Sequence, residues 1–256
     1  MYNEIFKIGP LTIYGYGLMI ALGILFAYQL LVRRAANRHM NLSHISSLTM
    51  WGLLGGFIGA KLLYWITQLP NIISNPGIML NIGEGFVVYG GIIGGILAGF
   101  IYCKVHRIPF LQCLDLFVPS LALAQGFGRI GCLLAGCCYG EETHSWFGIT
   151  FHHSAIAPNG VALVPTQIIE SVFSFGLCLI LLFLAKRTQK AGLVACVYLL
   201  LYSSGRFVIE FFRGDLIRGE VGLLSTSQII ALGIVLVTGV IVLVSQYQNR
   251  LSGKRA

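Results

Sequence analysis

Arginines, carboxylates and thiols at regular intervals suggest what this chain could do chemically. In the stretch YSSGRFVIEFFRGD, Tyr202, Arg206, Glu210 and Arg213 follow one another at steps of four, four and three. On a helix those steps stack the four side chains on one face. A second arginine, Arg129, opens the stretch GRIGCLLAGCCYG, with Cys132 three residues on and Cys137 and Cys138 beyond it. A guanidinium offers a planar fork of donors that fits a phosphate bidentately. Two such groups aimed at one point would stabilise an anionic leaving group as its bond breaks. The thiols add a nucleophile, a metal ligand or a redox pair to the repertoire.

The elements that must carry these groups are apolar. Of 256 residues, 56% are hydrophobic and only 10% are charged, whereas soluble domains carry about a quarter charged residues. Runs of about 20 apolar residues suffice to cross a bilayer, and seven occur, at 11–31, 47–69, 86–103, 110–136, 166–185, 191–211 and 222–245. The chain reads as an all-α polytopic membrane protein with seven transmembrane helices. Residues 1–256 form a single integral membrane domain, and residues 137–165 make a short extracytoplasmic arm over the site. The third span is rich in glycines at four-residue spacing, which lets helices approach closely.

The formal charge of +8 follows loop position, so no nucleic-acid partner is needed to explain it. Arg33, Arg34, Arg38, Lys104, Arg107, Lys186, Arg187, Lys190, Arg250, Lys254 and Arg255 fall on one side, and Lys7, Arg213 and Arg218 on the other. Cytoplasmic loops carry the basic excess. The N-terminus is therefore expected outside and the C-terminus in the cytoplasm.

Within the spans lie Lys61, Asp115, Arg129, Glu170, Arg206 and Glu210. An ionisable group at membrane depth is costly unless paired or wet. Asp115 is expected to reach the cytoplasmic interface. Tyr16, Tyr89, Arg129, the Thr166–Gln167–Glu170 start of the fifth span, and the Tyr202 face all fall in the outer half of the membrane. Two arginines facing one nearby acid would leave positive charge to spare, and the anion at that depth is a phospholipid headgroup.

At these residues the chain resembles the prolipoprotein diacylglyceryl transferase family. IGPLTIYGYGLMIALG is similar to the family's first span, with Tyr16 at its tyrosine position, and GGFIGAKLLYW to the second, with Lys61 where arginine is usual. EGFVVYGGIIGG, GFGRIG, VPTQIIE and YSSGRFVIEFFR resemble the later motifs in order. The resemblance implies transfer of a diacylglyceryl group from phosphatidylglycerol to the lipobox cysteine thiol of a preprolipoprotein, the first step of lipoprotein maturation. It implies a bacterial plasma (inner) membrane enzyme, acting as a monomer and without a cofactor, whose site faces the outer leaflet. Catalytic roles fall on Arg129, Arg206, Glu210 and Tyr89. Contacts to the lipid fall on Tyr16, Lys61, Tyr202, Arg213, Gln167 and Cys132.

The chain departs from the family pattern at several places. Tyr89 stands where histidine is usual, and a phenol is a weak base at neutral pH. The signature's two asparagines fall on Cys132 and Ala135, its glutamate on Cys137, and Val164 replaces a frequent histidine. These departures leave room for a divergent paralogue with a different acceptor, or for a membrane thiol–disulfide oxidoreductase using Cys132, Cys137 and Cys138.

On spacing alone, the three cysteines admit a Cys132–Cys137 disulfide if Gly136 ends the helix, or sulfur that merely fills volume beside the headgroup. A zinc site completed by His144, His152 or His153 is a further reading. The C-x4-C-C spacing lacks a paired C-x2-C knuckle, so no metal is expected. Cys103, Cys113, Cys178 and Cys196 read as small packing residues.

Overall fold

The computed structural model of the chain describes residues 4–8, 11–80, 85–215, 220–221 and 224–252. Seven helices among these residues are long and apolar enough to cross a membrane. They are α1 (Gly15–Asn37), α2 (Leu42–Thr67), α4 (Val88–Val105), α5 (Phe110–Ala135), α6 (Thr166–Arg187), α7 (Leu193–Glu210) and α8 (Thr226–Ser252). A short α3 (Leu69–Ser74) and a 3-10 turn (Pro76–Leu80) follow α2. Three two-stranded ribbons complete the chain: β1 (Glu4–Ile8) with β2 (Leu11–Tyr14), β3 (Ile149–Thr150) with β4 (Ala162–Leu163), and β5 (Glu220–Val221) with β6 (Leu224–Ser225). The all-helical, seven-span expectation holds. The first span starts later than its hydropathy suggests, because residues 11–14 pair with β1 in an antiparallel hairpin. Of the loop cations, Arg218, Lys254 and Arg255 lie outside the described residues, as does the side chain of Arg250.

The contacts divide the chain into two compact units: Val32–Cys113, and Met1–Leu31 together with Leu114–Ala256. In the first, α2 and α4 pack backbone to backbone. A Cβ added at Gly59 or Gly90 would run into the facing helix's carbonyl, and one at Gly55 would meet the Gly94 oxygen at 2.7 Å. This close seam is what the four-residue glycine spacing encodes. The Val87 amide donates to the Ala60 carbonyl at 3.1 Å where α4 begins. Lys61 is buried beside the seam, its Nζ 5.2 Å from the Tyr64 ring centre and 5.1 Å from that of Phe86. Tyr89 sits in the first turn of α4 and is exposed. Cys103 and Cys113 are buried, as packing residues should be.

The larger unit has its core where α5, α6 and α7 meet, around Val118, Ala122, Leu177, Leu181, Val194 and Tyr198. Asp115 has a structural use. It is buried in α5 and accepts from the Gly192 amide at 2.7 Å and the Ala195 amide at 2.8 Å. It thus caps the N-terminus of α7, which its own N-cap residue, Gly192, cannot do with a side chain. A carboxylate facing helix amides is also favoured by the dipole, and that explains a charge at this depth.

Candidate functional site

The larger unit gathers its polar groups where α5 and α7 end and α6 and α8 begin. α5 closes in a Schellman turn. Gly136 takes φ 72°, its amide donates to the Leu133 carbonyl at 3.2 Å, and the Cys137 amide donates to the Cys132 carbonyl at 3.1 Å. Only glycine adopts that backbone readily, and the motif brings the residue after it back over the last turn of the helix. Cys137 therefore returns to Cys132 despite a spacing of five, and Cys138, itself at φ 59°, follows. The sulfur atoms of Cys132, Cys137 and Cys138 all lie within 4.8 Å of one another. All seven cysteines are free, so no disulfide joins Cys132 to Cys137.

Side chains from α6 hold this turn. Thr166 donates its hydroxyl to the Cys138 carbonyl at 2.8 Å, and Gln167 donates its amide to the Cys137 carbonyl, also at 2.8 Å. Both residues are buried. Gln167, expected at the lipid, thus has its donor committed to the backbone. The arm that follows closes on itself. The Gly140 amide donates to the Val164 carbonyl at 3.1 Å, and the Val164 amide to that of Glu141 at 2.9 Å. Between them β3 and β4 enclose a small apolar core of Phe151, Ala157 and Leu163. His144, His152 and His153 are exposed on the arm and, among the described residues, do not join the sulfur group.

Around the turn the three arginines converge on one acid. Glu170, one helical turn into α6, pairs through one oxygen with Arg129 Nε and through the other with Arg206 Nη1 at 2.5 Å. Arg213 Nη1 stands 3.9 Å from the same carboxylate. Arg206 also pairs with Glu210 at 2.7 Å, and Glu210 accepts from the Ser225 hydroxyl at 3.0 Å. Arg213 makes a two-pronged pair with Asp215, at 3.1 and 2.8 Å. The expected surplus of positive charge is therefore largely matched inside the cluster. Glu170 lies within the fifth span, and spacing alone does not mark it as the hub. Its position one turn after Thr166 on the inner face of α6 was the available signal.

The stacked face of α7 also ends sooner than its periodicity suggests. The helix stops at Glu210, and Arg213 is set by a backbone bridge to Gly140. Tyr202, stacked on Tyr198 with ring centres 5.5 Å apart, lies within electrostatic reach of Arg129. Tyr16, in the first turn of α1, packs its ring 3.2 Å from where a Cβ on Gly131 would sit. Lys61 and Tyr89 belong to the other unit.

Outside the spans, the surroundings shift the acidity of two groups. Hydrogen bonds with the Cys132 and Cys137 thiols hold the Cys138 thiol well below its ordinary range, and the Arg213 charge lowers it further. Burial pushes the Asp215 carboxyl up, against the pull of Arg213. The arrangement can hold a phosphate with arginine forks. Arg129 meets Glu170 through Nε.

Known proteins share this chain almost from end to end. A family model described as prolipoprotein diacylglyceryl transferase matches residues 3–244. A phosphatidylglycerol–prolipoprotein diacylglyceryl transferase of Clostridium tetani is 50% identical over 228 residues, covering 89% of this chain and 91% of that one. One of Clostridium perfringens, numbered 2, is 45% identical over 252 residues, covering 97% and 96%. A third, from Dehalococcoides mccartyi, is 36% identical over 211 residues, covering 81% and 80%.

Proposed function

We infer from one premise, that the chain belongs to the prolipoprotein diacylglyceryl transferase family, that it moves a diacylglyceryl group from phosphatidylglycerol to a prolipoprotein cysteine. The observation carrying the chemical reading is the meeting of Arg129, Arg206 and Arg213 on Glu170.

In the proposed reaction the bond from the diacylglyceryl carbon to the phosphate oxygen breaks. Its electron pair leaves with glycerol phosphate. The acceptor sulfur forms the new carbon–sulfur bond, and its proton goes to the departing phosphate. Arg129 and Arg206 hold the departing phosphate, where fixed donors in a water-poor site act most strongly. Glu170 keeps the two guanidinium groups in register, and Glu210 orients Arg206. Tyr202 and Tyr16 hydrogen-bond the headgroup, with Arg213 at its edge and Cys132 beside it. The roles proposed for Lys61 and Tyr89 rest only on the resemblance of their spans to the family's second and third motifs. The basic loops support an outside N-terminus, a cytoplasmic C-terminus and a site in the outer leaflet of the bacterial plasma membrane. The enzyme acts as a monomer, and the arm over residues 137–165 covers the site.

Purified protein in lipid nanodiscs, given labelled phosphatidylglycerol and a lipobox peptide, is expected to label the peptide. Arg206→Ala should lower that rate about 10²–10³-fold, the cost of removing one anion-stabilising donor. Wild-type protein that leaves the peptide unlabelled would sink the reading.

A further inference from the structure

Three thiols on one turn form a cluster that goes beyond the place beside the headgroup proposed for Cys132. We propose that Cys132, Cys137 and Cys138 together bind one thiophilic closed-shell metal ion, of the Zn(II) or Cu(I) class.

Donor type and geometry both point this way. Sulfur atoms sharing an ion at about 2.3 Å stand about 3.8 Å apart in a tetrahedral site, and these three already lie within 4.8 Å of one another. Soft thiolates select zinc and monovalent copper over the hard cations. The linear C-x4-C-C pattern is no zinc knuckle, but the Schellman turn does a knuckle's work by folding Cys137 onto Cys132. The left-handed backbone at Cys138 turns the third sulfur inward.

The surroundings serve as an outer shell. Thr166 and Gln167 fix the carbonyls of the two loop cysteines, and the Arg213 guanidinium lies within electrostatic reach of the Cys138 sulfur. Such partners orient metal ligands and tune them. Binding a divalent ion displaces the thiol protons that remain and leaves a complex of charge −1 beside the Arg213 guanidinium. The bound ion would staple the end of α5, and Arg129 one turn before Cys132, to the start of the arm.

The test uses the full chain in nanodiscs under a non-thiol reductant, titrated with Cd(II). The expected result is a sulfur-to-cadmium charge-transfer band saturating at one ion per chain. Cys137→Ser should weaken binding by about 100-fold or more, since changes to the outer shell alone cost 10–100-fold. Cys178→Ser, a buried thiol elsewhere, should bind as the wild type does. A second readout needs no variant: Cd(II) should protect Cys132, Cys137 and Cys138 from maleimide, as mapped on peptides, and leave Cys196 reactive as before. Displacement of the band by Zn(II) identifies a divalent site, and displacement by Cu(I) a monovalent one. Absence of the band overturns the proposal, as does a band that survives in Cys137→Ser or a lack of protection at the three thiols.

Discussion

The α2–α4 pair and the α5–α6–α7 end bring helices together in lipid with opposite materials. Lipid tails are as apolar as the side chains, so burial drives neither assembly. The first relies on absence: glycines at 55, 59, 90 and 94 remove the side chains that would hold two backbones apart. The second relies on charge: one carboxylate, Glu170, takes two guanidinium groups and stands near a third. A glycine seam depends on volume and is indifferent to which polar group is nearby. An ion cluster depends on every partner and tolerates no unmatched charge. The difference suggests that the seam is scaffold and the cluster is machinery.

The sharpest way to break that contrast is at the hub. Glu170→Ala leaves buried arginines uncompensated, and stripping one partner from a buried pair costs about 3–5 kcal/mol. Thermal unfolding in detergent should show that loss, and transfer to a lipobox peptide should fail with it. A stable, active Glu170→Ala would mean that the arginines are wet and the cluster is incidental. The seam should give less ground. Gly90→Leu drives a side chain into the Gly59 carbonyl, and overpacking of this kind typically costs about 1–3 kcal/mol. An unchanged melting temperature in that variant would show that the close approach is not needed. Asp115→Ala, which removes the cap on α7, should cost about 1 kcal/mol in the same melt while transfer per folded molecule stays unchanged. A large activity loss there would move Asp115 from scaffold to machinery.

Much of the scaffold was legible in the sequence because its determinants are local. Apolar length gives the spans, and glycine spacing gives the seam. The starting point of α1 was not legible, because β1 and β2 are apolar too and hydropathy does not tell a hairpin from a helical turn. The capping role of Asp115 was not legible for a related reason: its partners, Gly192 and Ala195, are 77 and 80 residues away. The site was legible by residue type but not by pairing. Arg129, Arg206 and Glu210 stood out as charges at membrane depth. Glu170 became the hub only once α6 was placed between α5 and α7. Cys137 shows the reverse: a glycine at the end of a helix carried the information, through a turn whose hydrogen bonds are known in advance.

The rungs between Gly140, Glu141 and Val164 have an evolutionary consequence. A segment whose exit and return are neighbours can grow, shrink or be exchanged without disturbing the helices it joins, as loop-closure costs change slowly with length. The β3–β4 arm is thus a replaceable module fixed to a permanent mount.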